Sequence, residues 1–309
     1  MSSNSEIPID FSNPAVRDYM SLVRLQVLTP LSLLINIATA LVCSFVLHPS
    51  LGDVTRSHPA SISPWAPAIA AYIFAVYLGQ VGYCILLVFA RKPETKSTII
   101  KGVGLALVIA NWVMAGWAIA WVFEAFLTST VLLGILTLLL IYSNVVLIVY
   151  HVPTWHRPLD LAFIHAPVRL FLILPLSVLF PYSLFITLGH GWDPAHPDQS
   201  DRNQWEGFAY LLVINIFGVL IIALRQDWVW FLGATWVCVS IWLNGRDPMP
   251  IYIIAIIFTV LHPITLIVTI FAKHFASRRQ EGRIRLLSDE ESAHQGQTLG
   301  GHEVQGDWS

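Results

Sequence analysis

The chain has 309 residues, 56% of them hydrophobic and 12% charged, with a formal net charge of −2. A soluble domain has about a quarter of its residues charged, so a water-soluble fold of this size could not cover so much apolar surface. The small net charge argues against a global field suited to nucleic acid, and the useful information lies in where the charges sit.

Residues 1–24 read as a polar cytoplasmic N-terminal segment. It carries Glu6, Asp10 and Asp18, and the apolar run behind it is too long for the core of a secretory signal. Residues 25–272 read as a transmembrane bundle. Scanning for stretches able to cross ~30 Å of hydrocarbon gives about eight spans: Leu25–Leu47, Ala68–Ala90, Val103–Phe123, Thr128–Tyr150, Pro167–Leu188, Phe208–Leu224, Val229–Leu243 and Ile251–Phe271. The sixth and seventh are short and separated only by Arg225-Gln226-Asp227-Trp228, so a bent re-entrant pair giving seven spans is the alternative. Cys43, Cys84 and Cys238 lie inside apolar runs, which speaks against a disulfide framework or a zinc cluster. No Asn-x-Ser/Thr acceptor is present.

The basic residues divide unevenly between the two sides of these spans. Arg17, Arg24, Arg91, Lys92, Lys96, Lys101, Arg157, Arg169, Arg225, Lys273, Arg278, Arg279, Arg283 and Arg285 fall on one side, which is 14 of the 17. Arg56, Arg202 and Arg246 fall on the other. The positive-inside rule then puts both termini in the cytoplasm and loops 48–67, 189–207 and 244–250 outside it, in an endomembrane or the plasma membrane. Residues 273–309 are rich in Glu, Gln, Gly and Ser and read as a disordered cytoplasmic tail. There Ser288 stands between Arg285 and the acids Asp289, Glu290 and Glu291. It is a candidate phosphorylation site whose charge would weaken the attraction of the basic stretch for anionic lipid.

Tryptophan normally sits at the headgroup level, yet Trp112 and Trp117 fall inside the third span and Trp236 inside the seventh. Buried indoles suit a planar lipophilic ligand; the plainer alternative is core packing or lipid contact. Asn36, Gln80, Asn111, Asn144, Asn215 and His262 also fall in the spans, where interhelical hydrogen bonds are their ordinary use. The central parts of the spans carry no carboxylate, lysine or arginine, which speaks against ion-coupled transport. Loop 189–207 holds His190, Asp193, His196 and Asp198, a set that suits an outer-face metal, but Pro194 and Pro197 favour a plain solvated loop. No nucleophile elbow, P-loop or zincin helix is present, so the residues imply no enzyme and no cofactor.

The segment Pro64-Trp65-Ala66-Pro67 followed by Tyr72-Ile73-Phe74-Ala75-Val76-Tyr77 resembles the proline-tryptophan loop and Phe-x-x-Trp segment of the tryptophan-rich sensory proteins, relatives of the translocator protein. Asn111-Trp112 with Trp117 and Trp121 looks like that family's Asn-then-Trp helix, Leu174-Pro175-Leu176-Ser177 its Pro-Phe-Ser turn, and Ala234-Thr235-Trp236 its Trp-Ala segment. The likeness covers Ser63–Leu243; Tyr77 stands where the family has tryptophan, and the doubled proline is missing. The layout also resembles fungal multi-pass membrane proteins.

What the resemblance implies is a non-enzymatic binder or transporter of a small lipophilic molecule, tetrapyrrole or sterol-like, in an aromatic pocket near the outer loop. Trp65, Phe74, Tyr77, Asn111, Trp112, Trp117 and Trp236 would form its wall, with the Asn111 amide orienting the ligand. The expected partners are the lipid bilayer and that ligand. A rival reading is a scaffold subunit, in a homo-oligomer or with a membrane partner, packed through Gly79 with Gly82 and Ala115 with Gly116.

Overall fold

The computed structural model describes residues 14–89, 92–150, 158–192 and 203–299, and among these it is built of helices. In hydrocarbon every backbone N–H and C=O must find an internal partner, and a helix supplies those partners within one segment. Among the described residues, seven helical stretches are long and apolar enough to cross a membrane, from Val16–Phe45 to Met249–Ala276.

Helix α1 (Pro14–Phe45) starts at a proline, whose missing N–H is harmless in a first turn, and reaches well before Leu25, so part of the polar N-terminal segment is helical. A short helix α2 (Leu51–Ser57) follows, closed by a capping box. The Ser50 hydroxyl accepts the Asp53 N–H at 3.2 Å while the Asp53 carboxylate accepts the Ser50 N–H at 3.1 Å. Next come α3 (Ala66–Phe89), α4 (Pro93–Ser97) and α5 (Gly104–Val122), with a π-helical turn, Thr98–Val103, joining the last two. At that joint Gly104 adopts φ 44°, a backbone state open to glycine and strained for other residues.

Helix α6 (Phe126–Tyr150) returns across the bundle. The fifth rod is broken up by its sequence: α7 (Pro158–Asp160), α8 (Ala166–Leu174) and α9 (Phe180–Thr187) are spliced by π-helical turns Leu161–His165 and Pro175–Leu179. Pro167, Pro175 and Pro181 each remove a backbone donor, and the wider turns absorb the defect. Helices α10 (Gln204–Arg225), α11 (Trp228–Trp242) and α12 (Met249–Leu299) complete the bundle.

Two rods form the centre. The apolar window of Pro158–Thr187 is 67% buried and that of Glu94–Val122 is 61% buried, against 28–39% for the other five. Around them α1 packs on α5, α5 on α6, α3 on α8, and α10 and α11 on α12. Gly79 and Gly82 let α3 close on the fifth rod: a Cβ at Gly79 would meet Pro167 at 2.8 Å, and one at Gly82 would overlap the Phe163 ring. The Gly79 and Gly82 face, one of the two considered for a partner subunit, is therefore occupied within the chain.

Helix α11 has 15 residues, shorter than the ~20 a span requires, although it runs from the Asp227 connector to the end of the bundle that holds α2. The backbone of α12 is helical as far as Leu299, where the composition reading expected an irregular tail.

Candidate ligand-binding cleft

At the α2 end, segments distant in sequence are tied together by backbone pairing. Ala60 and Gly191 form an antiparallel bridge, Trp192 N–H donates to the Pro59 carbonyl at 3.1 Å, and Trp65 N–H donates to the Ser240 carbonyl at 2.7 Å. Asp247 adds a side-chain tie: its Oδ1 accepts the Ser63 N–H at 3.3 Å and the Asn244 amide at 3.4 Å. Burial pushes the Asp247 carboxyl well above the usual carboxylate range, and those two hydrogen bonds offset only part of that effect.

Helix α2 is pinned from below. Trp121 Nε1–H donates to the Thr55 hydroxyl at 3.2 Å, and the Tyr182 hydroxyl faces the Thr55 and His58 carbonyl oxygens at 3.0 and 2.8 Å. The Trp121 ring lies 5.4 Å from both Phe126 and Tyr182 and 6.1 Å from Trp117, making an aromatic layer beneath α2. Above this base opens a cleft of about 1030 Å³ walled by α2, the Ser63–Pro67 segment, Trp192 and the Leu243–Arg246 turn. That is the upper end of the volume range of small-molecule sites. Its flat apolar surfaces are Trp65 and Trp192, and its charged residues are Arg56 and Arg246.

The seven residues suggested by the sequence separate into four places. Trp65, 43% exposed, lines the cleft, and the other six are not among its walls. Phe74, Trp112 and Trp236 lie on exposed faces of their helices; Trp236 also donates from Nε1 to the Ala68 carbonyl at 2.9 Å and meets Tyr72 edge-on. Trp117 is buried in the aromatic layer, its Nε1 without a partner.

Tyr77 and Asn111 join a polar relay across three helices. The Tyr77 hydroxyl donates to Asn36 Oδ1 at 3.1 Å, Asn36 Nδ2 donates to Asn111 Oδ1 at 2.8 Å, and Asn111 Nδ2 donates to Gln80 Oε1 at 2.8 Å. The Asn111 amide thus holds α1, α3 and α5 together.

Of the loop histidine set, His190 stacks on Phe185 at 5.9 Å; Asp193, His196 and Asp198 lie outside the described residues. Ser288 falls on the far part of α12, whose side chains are likewise outside them.

Sequence reasoning missed two features. Arg56, Arg246 and Trp192 converge only through loop folding, which leaves no periodic trace. Arg169 and Asp227 form a buried ion pair, 6% and 4% exposed, that joins α8 to the start of α11. Asp227 also caps α11 by accepting the Val229 and Trp230 N–H groups at 3.1 Å each. An Asp immediately before an apolar run is the signal that would have found the cap.

The family model described as TSPO-like protein matches residues 26–271. No curated protein and no solved structure matches the chain.

Proposed function

Because the chain belongs to the TSPO-like protein family, we propose that it is a non-enzymatic, membrane-embedded binder or carrier of a small lipophilic molecule, received at the cleft of the α2 end. The observation that carries this reading is the cleft itself: about 1030 Å³, with Trp65 and Trp192 as flat walls. Burial of an apolar body against two indoles supplies affinity through lost water contact and ring stacking. The lopsided distribution of Lys and Arg supports placing this end outside the cytoplasm and both termini within it.

The test is a titration of the full chain in nanodiscs with protoporphyrin, followed by tryptophan emission. Saturable quenching that weakens in Trp65→Ala and persists in Phe74→Ala is the expected result. Quenching that is unsaturable, or indifferent to Trp65, would remove the cleft reading. The scaffold alternative gains no support from Gly79 and Gly82, whose surfaces are filled by Pro167 and Phe163.

A further inference from the structure

The charges of the cleft speak to the kind of molecule it takes. Of the few basic residues that the positive-inside reading of the sequence assigns outside the cytoplasm, Arg56 and Arg246 line one cleft. Arg56 holds Asp53 at 3.1 Å across the exposed edge of α2. Arg246 has no carboxylate partner among the described residues.

The acid beside it offers little compensation. Asp247 directs Oδ1 to Ser63 and Asn244, and its Oδ2 is enclosed without a partner. Burial disfavours its charged form, so the positive charge of Arg246 is left facing the cleft. Arg246 is exposed at the cleft, and the planar fork of its guanidinium matches carboxylate and phosphate oxygens.

We propose that the cleft selects a lipophilic acid, an amphiphile whose flat apolar body lies on Trp65 and Trp192 and whose carboxylate or phosphate is held by Arg246 with Arg56 beside it. This rests on the cleft being the binding site, as argued above. A neutral molecule of the same shape gains the indole contacts and leaves the guanidinium without its anion. The acid is therefore preferred by about tenfold, the size of one charge-assisted contact at a partly open site.

The experiment compares a matched pair on the full chain in phosphatidylcholine nanodiscs: cholesteryl hemisuccinate and its methyl ester, with bound ligand counted by native mass spectrometry. The expected result is about tenfold tighter binding of the acid, with the preference falling to within about twofold in Arg246→Gln. Equal binding of acid and ester to the unsubstituted chain would overturn the acid proposal and leave the cleft reading standing. Binding of neither would overturn both. Adding phosphatidic acid to the discs identifies the source of the anion. Displacement of the hemisuccinate supports a lipid headgroup, and its retention supports a free lipophilic acid. The unsubstituted chain alone decides the main question, so the outcome does not hang on how Arg246→Gln folds.

Discussion

In hydrocarbon the amide of Asn111 has no water to turn to, so its bonds to Asn36 and Gln80 set what its loss would cost. Asn111→Leu keeps the branched outline of the side chain and strands an amide donor on Asn36 and an acceptor on Gln80. Stability in mild detergent should fall by about 1–3 kcal/mol, with Asn36→Leu plus Asn111→Leu losing less than the sum of the two single changes. A loss that is fully additive would argue against a shared network. Asp247 gives a pH signature. Its folded carboxyl is raised above the ordinary value of about 4, so the folded chain keeps a proton that the unfolded chain releases. Its contribution to stability is full below about pH 4 and is lost as pH rises toward its folded value. Asp247→Asn retains an acceptor for Ser63 and cannot ionise. The unfolding midpoint of the native chain relative to this variant should therefore drop as pH rises above about 4, and parallel pH profiles would refute the assignment.

At the scale of elements, the ion pair between Arg169 and Asp227 fixes α8 to the foot of α11. Asp227→Ala leaves a buried guanidinium uncompensated and uncaps α11, so unfolding free energy should fall by about 3–5 kcal/mol. Adding Arg169→Met should restore much of it, because the buried charge is then gone; no recovery would mean that Asp227 acts through the cap alone. How much of this was legible follows from the physics of each signal. The long helices were readable because crossing a bilayer demands about 20 apolar residues, and α3, α6 and α10 lie close to where hydropathy put them. The π-helical turns at Thr98–Val103, Leu161–His165 and Pro175–Leu179 were not, since they arise from packing and proline geometry with no change in hydropathy. Trp65 stood out by its place between prolines. Trp192 and Arg246 did not, because the contacts that bring them to Trp65 are made between loops distant in sequence. The residue type of Asn111 announced a polar contact but not which helices it would join.

For the whole molecule, we propose that α2, the cleft and the Leu243–Arg246 turn lie on the non-cytoplasmic face and the start of α1 and the far part of α12 on the other. On that proposal the 15-residue α11 is an eighth, short crossing beside α12. Single cysteines introduced at Arg225 and at Gly245, which flank α11, in a chain cleared of Cys43, Cys84 and Cys238, should react with an impermeant maleimide from opposite sides of sealed vesicles. Labelling of both from one side would remove the even number of crossings.

The most direct test of the central claim is to find where a bound lipophilic molecule touches the chain. A diazirine-bearing sterol acid, photolysed on the full protein in nanodiscs and mapped by peptide mass spectrometry, should label the Ser63–Ala70 and Leu243–Arg246 segments to a level that saturates at low probe concentration. An excess of unlabelled acid should remove that label. Label confined to the outward faces carrying Phe74 and Trp112, growing with probe concentration and resistant to competition, would show lipid-like contact in place of a site and contradict the account.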